Sequence, residues 1–272
     1  MKYTLGVDFG GGAGKGTLLD ETGVVVMTAS KEYGTYSPFN GWTEIEPEEY
    51  YQAFCWIVRE ILDKTGVDPA EIAALSVSSA SMTAAYLDEH DKPVRRAIFW
   101  NDNRSTKQAD FLRENYAAEI YAKSHNCVSS ARTLTHLLWI RENEPGNFSR
   151  IRRVMFMKDY VRYRLTGLFV TDYIDAMGSQ LMDVPAGCWS EKFLKLAGLP
   201  LSAMPQILSP TDVVGSITED AARETGLSRK TKVICGTTDT VMEVFANGAI
   251  RPGQMTLKLA TAGRICDYRA QP

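Results

Sequence analysis

The sequence predicts an α/β fold on three observations. It opens as strand, glycine turn, strand, strand. A helical period over 47–66 then leads into an apolar strand at 72–79. Past residue 211, short apolar strands again alternate with helices.

YTLGV (3–7) is a short apolar strand, and KGTLLD (15–20) and VVVMTASKEY (24–33) bracket the turn signal ETG as a β-hairpin. Between the first two strands runs DFGGGAGKG (8–16), whose identity that strand order narrows. A P-loop requires GxxxxGK, then Ser or Thr, then a helix. Here Phe9 lies five residues before Gly14, Gly16 follows Lys15, and the chain continues as a strand. A dinucleotide fingerprint also needs a helix after its glycines. Two readings of the turn remain. In one, the N–H groups of Gly10 and Gly11 cradle phosphate while Asp8 at the rim holds magnesium or a ligand hydroxyl. In the other, a tight hairpin simply needs glycine at positive φ.

PEEYYQAFCWIVREILDKTG (47–66) starts with Pro and two acids, as helices do. Its Tyr51, Phe54, Val58, Ile61 and Leu62 form one packed face. IAALSVSS (72–79) reads as a buried strand and TAAYLDEHDKPV (83–94) as a strand ending in a turn. AIFWNDNRS (97–105) runs apolar into a polar cluster, the type of strand end where α/β folds place ligand groups. Residues 106–165 read as mainly helical. Two such helices are LTHLLWIRENEPG (134–146) and VMFMKDYVRYRLTG (154–167), with Met155 and Met157 as packing residues. Residues 171–190 are mixed, and a short helix starts at Glu191. From 211 follow the strand VVGSI, the helix EDAARETGL (219–227), the strand KVICG (232–236) and the helix DTVMEVFANGAI (239–250).

Composition excludes several partners. With 33 acidic and 30 basic residues, the net charge of −3 gives no electrostatic reason to bind nucleic acid or an anionic membrane. Five cysteines without a CxxC pair argue against a disulfide framework or a zinc site and suit a reducing cytosol. Three histidines are too few for a histidine metal centre. No apolar run of membrane-spanning length and no signal pattern is present, so the expected location is cytoplasmic.

Two acid sets could carry chemistry. Asp239 stands where KVICGTTD passes from strand to helix. It either caps that helix or acts as a general base toward a substrate hydroxyl during phosphoryl transfer. Asp102 and Arg104 are either an ordinary surface ion pair or, beside the stacking face of Trp100, polar groups suited to a polyol. A glycine hairpin with an acid at its rim and a distant acid on a turn together point to phosphoryl transfer.

At this point the chain resembles the FGGY family of carbohydrate kinases, and within it the xylulokinase-like members. Asp8, Gly10 and Lys15 match the family's opening turn, with Gly11 in place of Thr. GWTEIEP (41–47), AIFWNDNR (97–104), MKDYVRYRLTG (157–167) and GTTDTVMEVFANGAIRPG (236–253) match further segments in the family's order, and KLATAGR (258–264) resembles its second phosphate turn. The resemblance implies a ribonuclease H-like (actin-like ATPase) fold with a mixed sheet and helical insertions. It implies a sugar-binding N-terminal domain over 1–248 and the start of an ATP-binding C-terminal domain over 249–272. By the same resemblance, Asp239 is the catalytic base, and Ser81, Met82, Trp100, Asp102 and Arg104 face the sugar. Asp8, Gly10, Gly11, Lys15, Thr261 and Gly263 face phosphate, with Asp8 as the magnesium ligand.

The implied activity is ATP- and Mg2+-dependent phosphorylation of a hydroxyl on a small sugar or polyol, in an assembly that could be a homodimer. Residues 78–82 read SSASM where xylulokinase-like members carry Ser-Gly-Gln-Met-His, which leaves the sugar open and admits a kinase for a different polyol. Family members run to about twice this length, with adenine recognition in their second half. This chain alone is therefore expected to be inactive, and a non-catalytic sugar-binding or regulatory domain is the alternative.

Overall fold

The computed structural model describes residues 1–259 and 263–269. Its centre is a six-stranded mixed sheet. Strand β1 (Tyr3–Phe9) turns through Gly10–Gly12 into β2 (Ala13–Asp20), and the Asp20 side chain caps the turn into β3 (Val25–Glu32). Helix α1 (Pro47–Thr65) then crosses the sheet, and β4 (Ile72–Ser79) returns parallel to β1. A long excursion containing helix α2 (Met157–Thr166) follows, and then come β5 (Val213–Ser216), helix α3 (Glu219–Thr225), β6 (Lys232–Ile234) and helix α4 (Asp239–Ala246). The order across the sheet is β5-β6-β4-β1-β2-β3, with β6, β4 and β1 parallel and the remaining pairings antiparallel.

Alternation along the strands decides which face is covered. Leu5, Val7 and Phe9 of β1 and Leu75 and Val77 of β4 point to one side, where Phe54, Ile57 and Ile61 of α1 meet them. Each such fully buried side chain contributes about 1.5–3 kcal/mol. The helix face anticipated from spacing is present, with Tyr50 and Ile57 added to it. Ile57 reaches so close to the sheet that a Cβ on Gly16 would lie 2.3 Å from its methyl group. The opposite strand face carries Asp8 and Ser78, and the register sets Asp8 beside both Lys15 and Ser78.

A second apolar core forms within the excursion, around Tyr86, Ile98, Leu134, Leu137, Leu138, Phe156 and Phe193. Here the structure corrects one expected element. Residues 154–156 belong not to a helix but to a strand, Arg153–Phe156, paired antiparallel with Ala84–Leu87, and α2 begins only at Met157. VMF is compatible with either period, and the fully buried partner strand Ala84–Leu87 takes it up. The final helix likewise stops at Ala246 rather than 250, because the chain turns through Asn247 and Gly248. Among the described residues no helix is long and apolar enough to cross a membrane.

Gly236, between β6 and α4, shows how tightly the last crossing is fitted. Its φ is +71°, and an added Cβ would stand 2.4 Å from the Val77 carbonyl oxygen, a backbone atom that cannot retreat. Gly236→Ala is therefore expected to cost about 2–4 kcal/mol of stability, read as a lower urea midpoint at unchanged slope.

Candidate active site

The sheet ends its parallel strands at one edge, where Asp8, the 80–82 turn and Asp239 gather. The three glycines of the first turn do not adopt positive φ, which removes the tight-hairpin explanation for them. Their carbonyls are turned inward. The Gly10 oxygen accepts from the hydroxyls of Tyr33 (2.6 Å) and Tyr50 (3.1 Å), the Gly11 oxygen from Thr35 (2.5 Å), and the Gly12 oxygen from the Tyr33 amide (3.2 Å). Burial keeps both tyrosine hydroxyls far above their ordinary pKa, so they remain donors. With the carbonyls held back, the N–H groups of Gly11 and Gly12 have no acceptor among the described residues, and the glycines put no side chain in front of them. That donor set fits an anion such as phosphate. Lys15 is exposed on the next strand, directly across from Asp8.

Asp8 is exposed. Its Oδ1 accepts from Ser78 Oγ at 2.6 Å, and its other oxygen is free of hydrogen bonds among the described residues. No group of three metal-ligating side chains occurs among those residues. One open carboxylate beside phosphate-binding amides nevertheless fits Mg2+, which is commonly held by one or two carboxylates plus substrate phosphates.

Thr238 forms a parallel bridge to Ser79, bringing the start of α4 beside the end of β4. Asp239 is the first residue of α4 rather than its cap. Its Oδ1 accepts from the Thr240 N–H at 2.6 Å and its Oδ2 has no hydrogen bond among the described residues. Burial, with the like charge of Asp8 adding to it against the Thr240 N–H, lifts Asp239 above the ordinary carboxylate pKa. Asp8 and Asp239 thus border one edge, close enough for the charge of Asp8 to bear on Asp239.

The 80–82 turn leaves β4 at the same edge, tied by the Ala80 N–H to the Phe9 oxygen at 3.1 Å. Met82 is left-handed (φ +69°), a costly backbone state for a side chain of this size. Ser81 and Met82 are half-buried, and Arg132 Nη1 lies 2.7 Å from the Met82 sulfur. Phe99 packs under Gly11, and Trp100 beside it is 41% exposed. Asp102 and Arg104 are not at the surface. Asp102 accepts from Thr43 N (2.6 Å) and from Arg104 N, Nε and Nη2 (2.8, 2.9 and 2.8 Å), which occupies both oxygens. Arg104 also reaches Glu44 (2.7 Å) and stacks on Trp42 at 3.8 Å. The pair therefore joins GWTEIEP to the loop that presents Trp100. Gly263 is exposed and precedes Arg264, which reaches the Thr240 hydroxyl (2.5 Å) and Glu243 (2.7 Å) of α4, and Thr261 lies outside the described residues.

This arrangement has counterparts. The FGGY family of carbohydrate kinases, N-terminal domain, matches residues 3–246. The chain belongs to that family. It is 31% identical over 271 residues to "Xylulose kinase" of Bacillus subtilis (strain 168), covering 100% of this chain and 54% of that relative. Among solved structures, "gluconate kinase from Lactobacillus acidophilus" superposes with a TM-score of 0.92 at 28% identity, covering 97% of this chain and 53% of that one. The "ligand bound xylulose kinase" of the same organism gives 0.92 at 27%, covering 97% and 54%. The chain thus spans about half the length of the curated relatives it matches. The ribonuclease H-like fold expected from the sequence is the fold of the family.

One group of residues in this FGGY chain escaped the reading of the sequence. Lys158, fully buried at the start of α2, lies 2.7 Å from Asp159, 2.5 Å from Asp172 and 2.8 Å from Asp175, and Arg162 joins Asp159 at 2.7 Å. The available signal was an aspartate pair three residues apart in TDYID together with Lys–Asp and Arg on one helical turn. Nothing local showed that the two segments meet. Three carboxylates face two cations, so one proton balances the cluster. Burial pushes Asp175 up to about 7, opposed by Lys158 and aided by Asp172 and Asp159. Burial also acts on Asp172, but Lys158 and Thr237 hold it below the usual range. Folded Asp175 keeps a proton that the unfolded chain releases near 3.8, so its contribution to stability is lost as pH rises from about 4 to about 7. Asp175→Asn should remove that loss: the urea midpoint of the variant should gain on the parent chain as pH rises from about 5 to about 7.5. A difference constant with pH would refute the assignment.

Proposed function

We propose that this chain is the acceptor-binding half of a kinase that transfers the γ-phosphoryl group of ATP to a hydroxyl on a sugar or polyol. The observation that carries this reading is the meeting of Asp8, the Gly11–Gly12 amides and Asp239 at one sheet edge, with an open oxygen on each carboxylate. The acceptor hydroxyl sits at Asp239 Oδ2, over the 80–82 turn, with Trp100 as its stacking face and with Asp102 and Arg104 fixing that loop. The hydroxyl oxygen bonds to the γ-phosphorus, the bond from phosphorus to the ADP oxygen breaks, and Asp239 takes the proton. Gly11 and Gly12 turn backbone amides toward phosphate, whereas the Gly10 N–H, expected from the sequence to join them, closes the turn on the Ala13 oxygen at 3.1 Å. Lys15 adds positive charge, and Asp8 is the magnesium ligand. Bound Mg2+ would neutralise charge on the phosphates.

The acceptor domain covers residues 1–248, and 249–272, with Thr261 and Gly263, opens the ATP-binding domain. The hairpin formed by Met255–Lys258 and Arg264–Asp267 supports that division. Among the described residues its strands pair only with each other; Lys258 and Arg264 tie it to Glu243 and Thr240 of α4, and it exposes Met255 (65%), Leu257 (64%) and Ile265 (69%), an apolar surface that a further domain would cover.

The test is ATP consumption by the full-length protein against D-xylulose, L-xylulose, D-gluconate and glycerol. Asp239→Asn should lower kcat on the best acceptor by about 10²–10⁴-fold while acceptor binding persists. Because Asp239 is held above the ordinary carboxylate value, activity should fall on the acid side at a higher pH than an unperturbed aspartate would give. Undiminished turnover in Asp239→Asn would rule out the base. Binding of an acceptor with no turnover in the full-length protein would favour a non-catalytic sugar-binding role.

A further inference from the structure

We propose that Lys158 is a positioning residue for the transfer, holding the loop of the candidate base and the acceptor turn from a single buried ammonium. The inference rests on the kinase reading above and adds residues to it. Asp172 turns Oδ2 to Lys158 at 2.5 Å, while its Oδ1 caps the helical turn after it (Ile174 N–H 3.0 Å, Asp175 N–H 3.4 Å) and also accepts the hydroxyl of Thr237 at 2.8 Å, two residues before Asp239. Asp175 turns Oδ2 to Lys158 at 2.8 Å and accepts the Met82 N–H on Oδ1 at 3.3 Å. Each carboxylate therefore divides its oxygens, one to the lysine and one to a loop at the site. Arg162 completes the frame by donating to the Cys235 carbonyl, at the head of the base loop, and to the Val170 carbonyl at 2.7 Å.

The two loops held in this way are those that need holding. Met82 sits in a left-handed conformation, and a strained backbone persists only where its surroundings over-determine it. The Met82 carbonyl is fixed as well, accepting from Thr133 Oγ1 at 3.2 Å. The Thr237–Asp239 segment follows the tightly seated Gly236, and its own side-chain anchor is the Thr237–Asp172 bond. Stability alone gives little reason for such a cluster, because a buried ion group is often no better than an apolar one of similar volume. Its geometry has a use in catalysis, where a displacement of about 1 Å at the reacting groups can cost about 100-fold in rate.

Two variants each cut one arm and leave Lys158 in place. They are measured in the full-length protein with whichever of the four acceptors is turned over fastest. Thr237→Val should lower kcat by about 10- to 100-fold with the acceptor KM within about twofold, and Thr237→Ser, which keeps the hydroxyl, should restore it. Asp175→Asn keeps a weaker acceptor for the Met82 N–H and should raise the acceptor KM more than it lowers kcat. Combined, the two should depart from multiplicative behaviour, since both arms share one lysine. A Thr237→Val protein with the parent kcat, in a background where Asp239→Asn is inactive, would overturn the positioning role and leave the base intact. Full activity in Asp239→Asn would instead strike the reading beneath it. If Thr237→Val does not fold, the KM-against-kcat split of Asp175→Asn decides, and equal losses in both parameters would count against the proposal.

Discussion

The parallel pairing of β1 with β4 is the constraint on which the site depends. Its register sets Phe9 beside Ser79, so the glycine turn and the acceptor turn leave the sheet at the same level. The Ala80 N–H extends the ladder by one bond to the Phe9 oxygen, and Thr238 adds a third segment at Ser79. Buried backbone groups of this kind cannot exchange partners without leaving a donor or acceptor unpaired. Three stretches separated by about 70 and 160 residues are thereby held in one place, and the chemistry-bearing side chains need only be the next residues along each (Asp8, Ser81–Met82 and Asp239).

Charge is distributed around this edge in two depths. Asp8, Lys15 and Trp100 stand in front, exposed to whatever binds. Behind them lie two buried networks, Lys158 with its three aspartates and Arg104 with Asp102 and Glu44. Neither network meets a ligand directly: Asp102 and Arg104 are engaged with each other, Thr43 and Glu44, and Lys158, Asp159, Asp172 and Asp175 are fully buried. Both instead fasten loops that do. The Arg104 network ties the segment before α1 to the segment bearing Trp100, and the Lys158 network ties the excursion to the end of β4 and the start of α4. The chain buries two apolar cores, one built on the sheet and the other within the excursion.

Much of the fold was legible in the sequence because period and punctuation are local. The β2–β3 hairpin followed from ETG between apolar runs, α1 from its Pro-acid start and 3.6-residue period, and β4 from an apolar run of strand length. The helix expected over 154–167 failed at its start. A four-residue apolar run has no period of its own, and the choice between helix and strand fell to Ala84–Leu87, a partner about 70 residues away. The site was half legible. Asp8 and Asp239 stood out as acids at strand ends. Asp102 and Arg104 looked like surface groups because nothing adjacent announces that Thr43 and Glu44 will close over them.

The sequence by itself determined the element types, the glycine turn and the two acids, since these depend on residues a few positions apart. Only the tertiary structure decided that the turn glycines avoid positive φ and that, among the described residues, the Gly11 and Gly12 amides have no acceptor. It alone showed that Asp239 keeps one oxygen open among the described residues, and that five ionisable residues from two segments share one buried centre. The physical reason is that burial and charge pairing are properties of a three-dimensional neighbourhood, and the same Lys or Asp is a solvated surface group or an internal brace according to what folds over it.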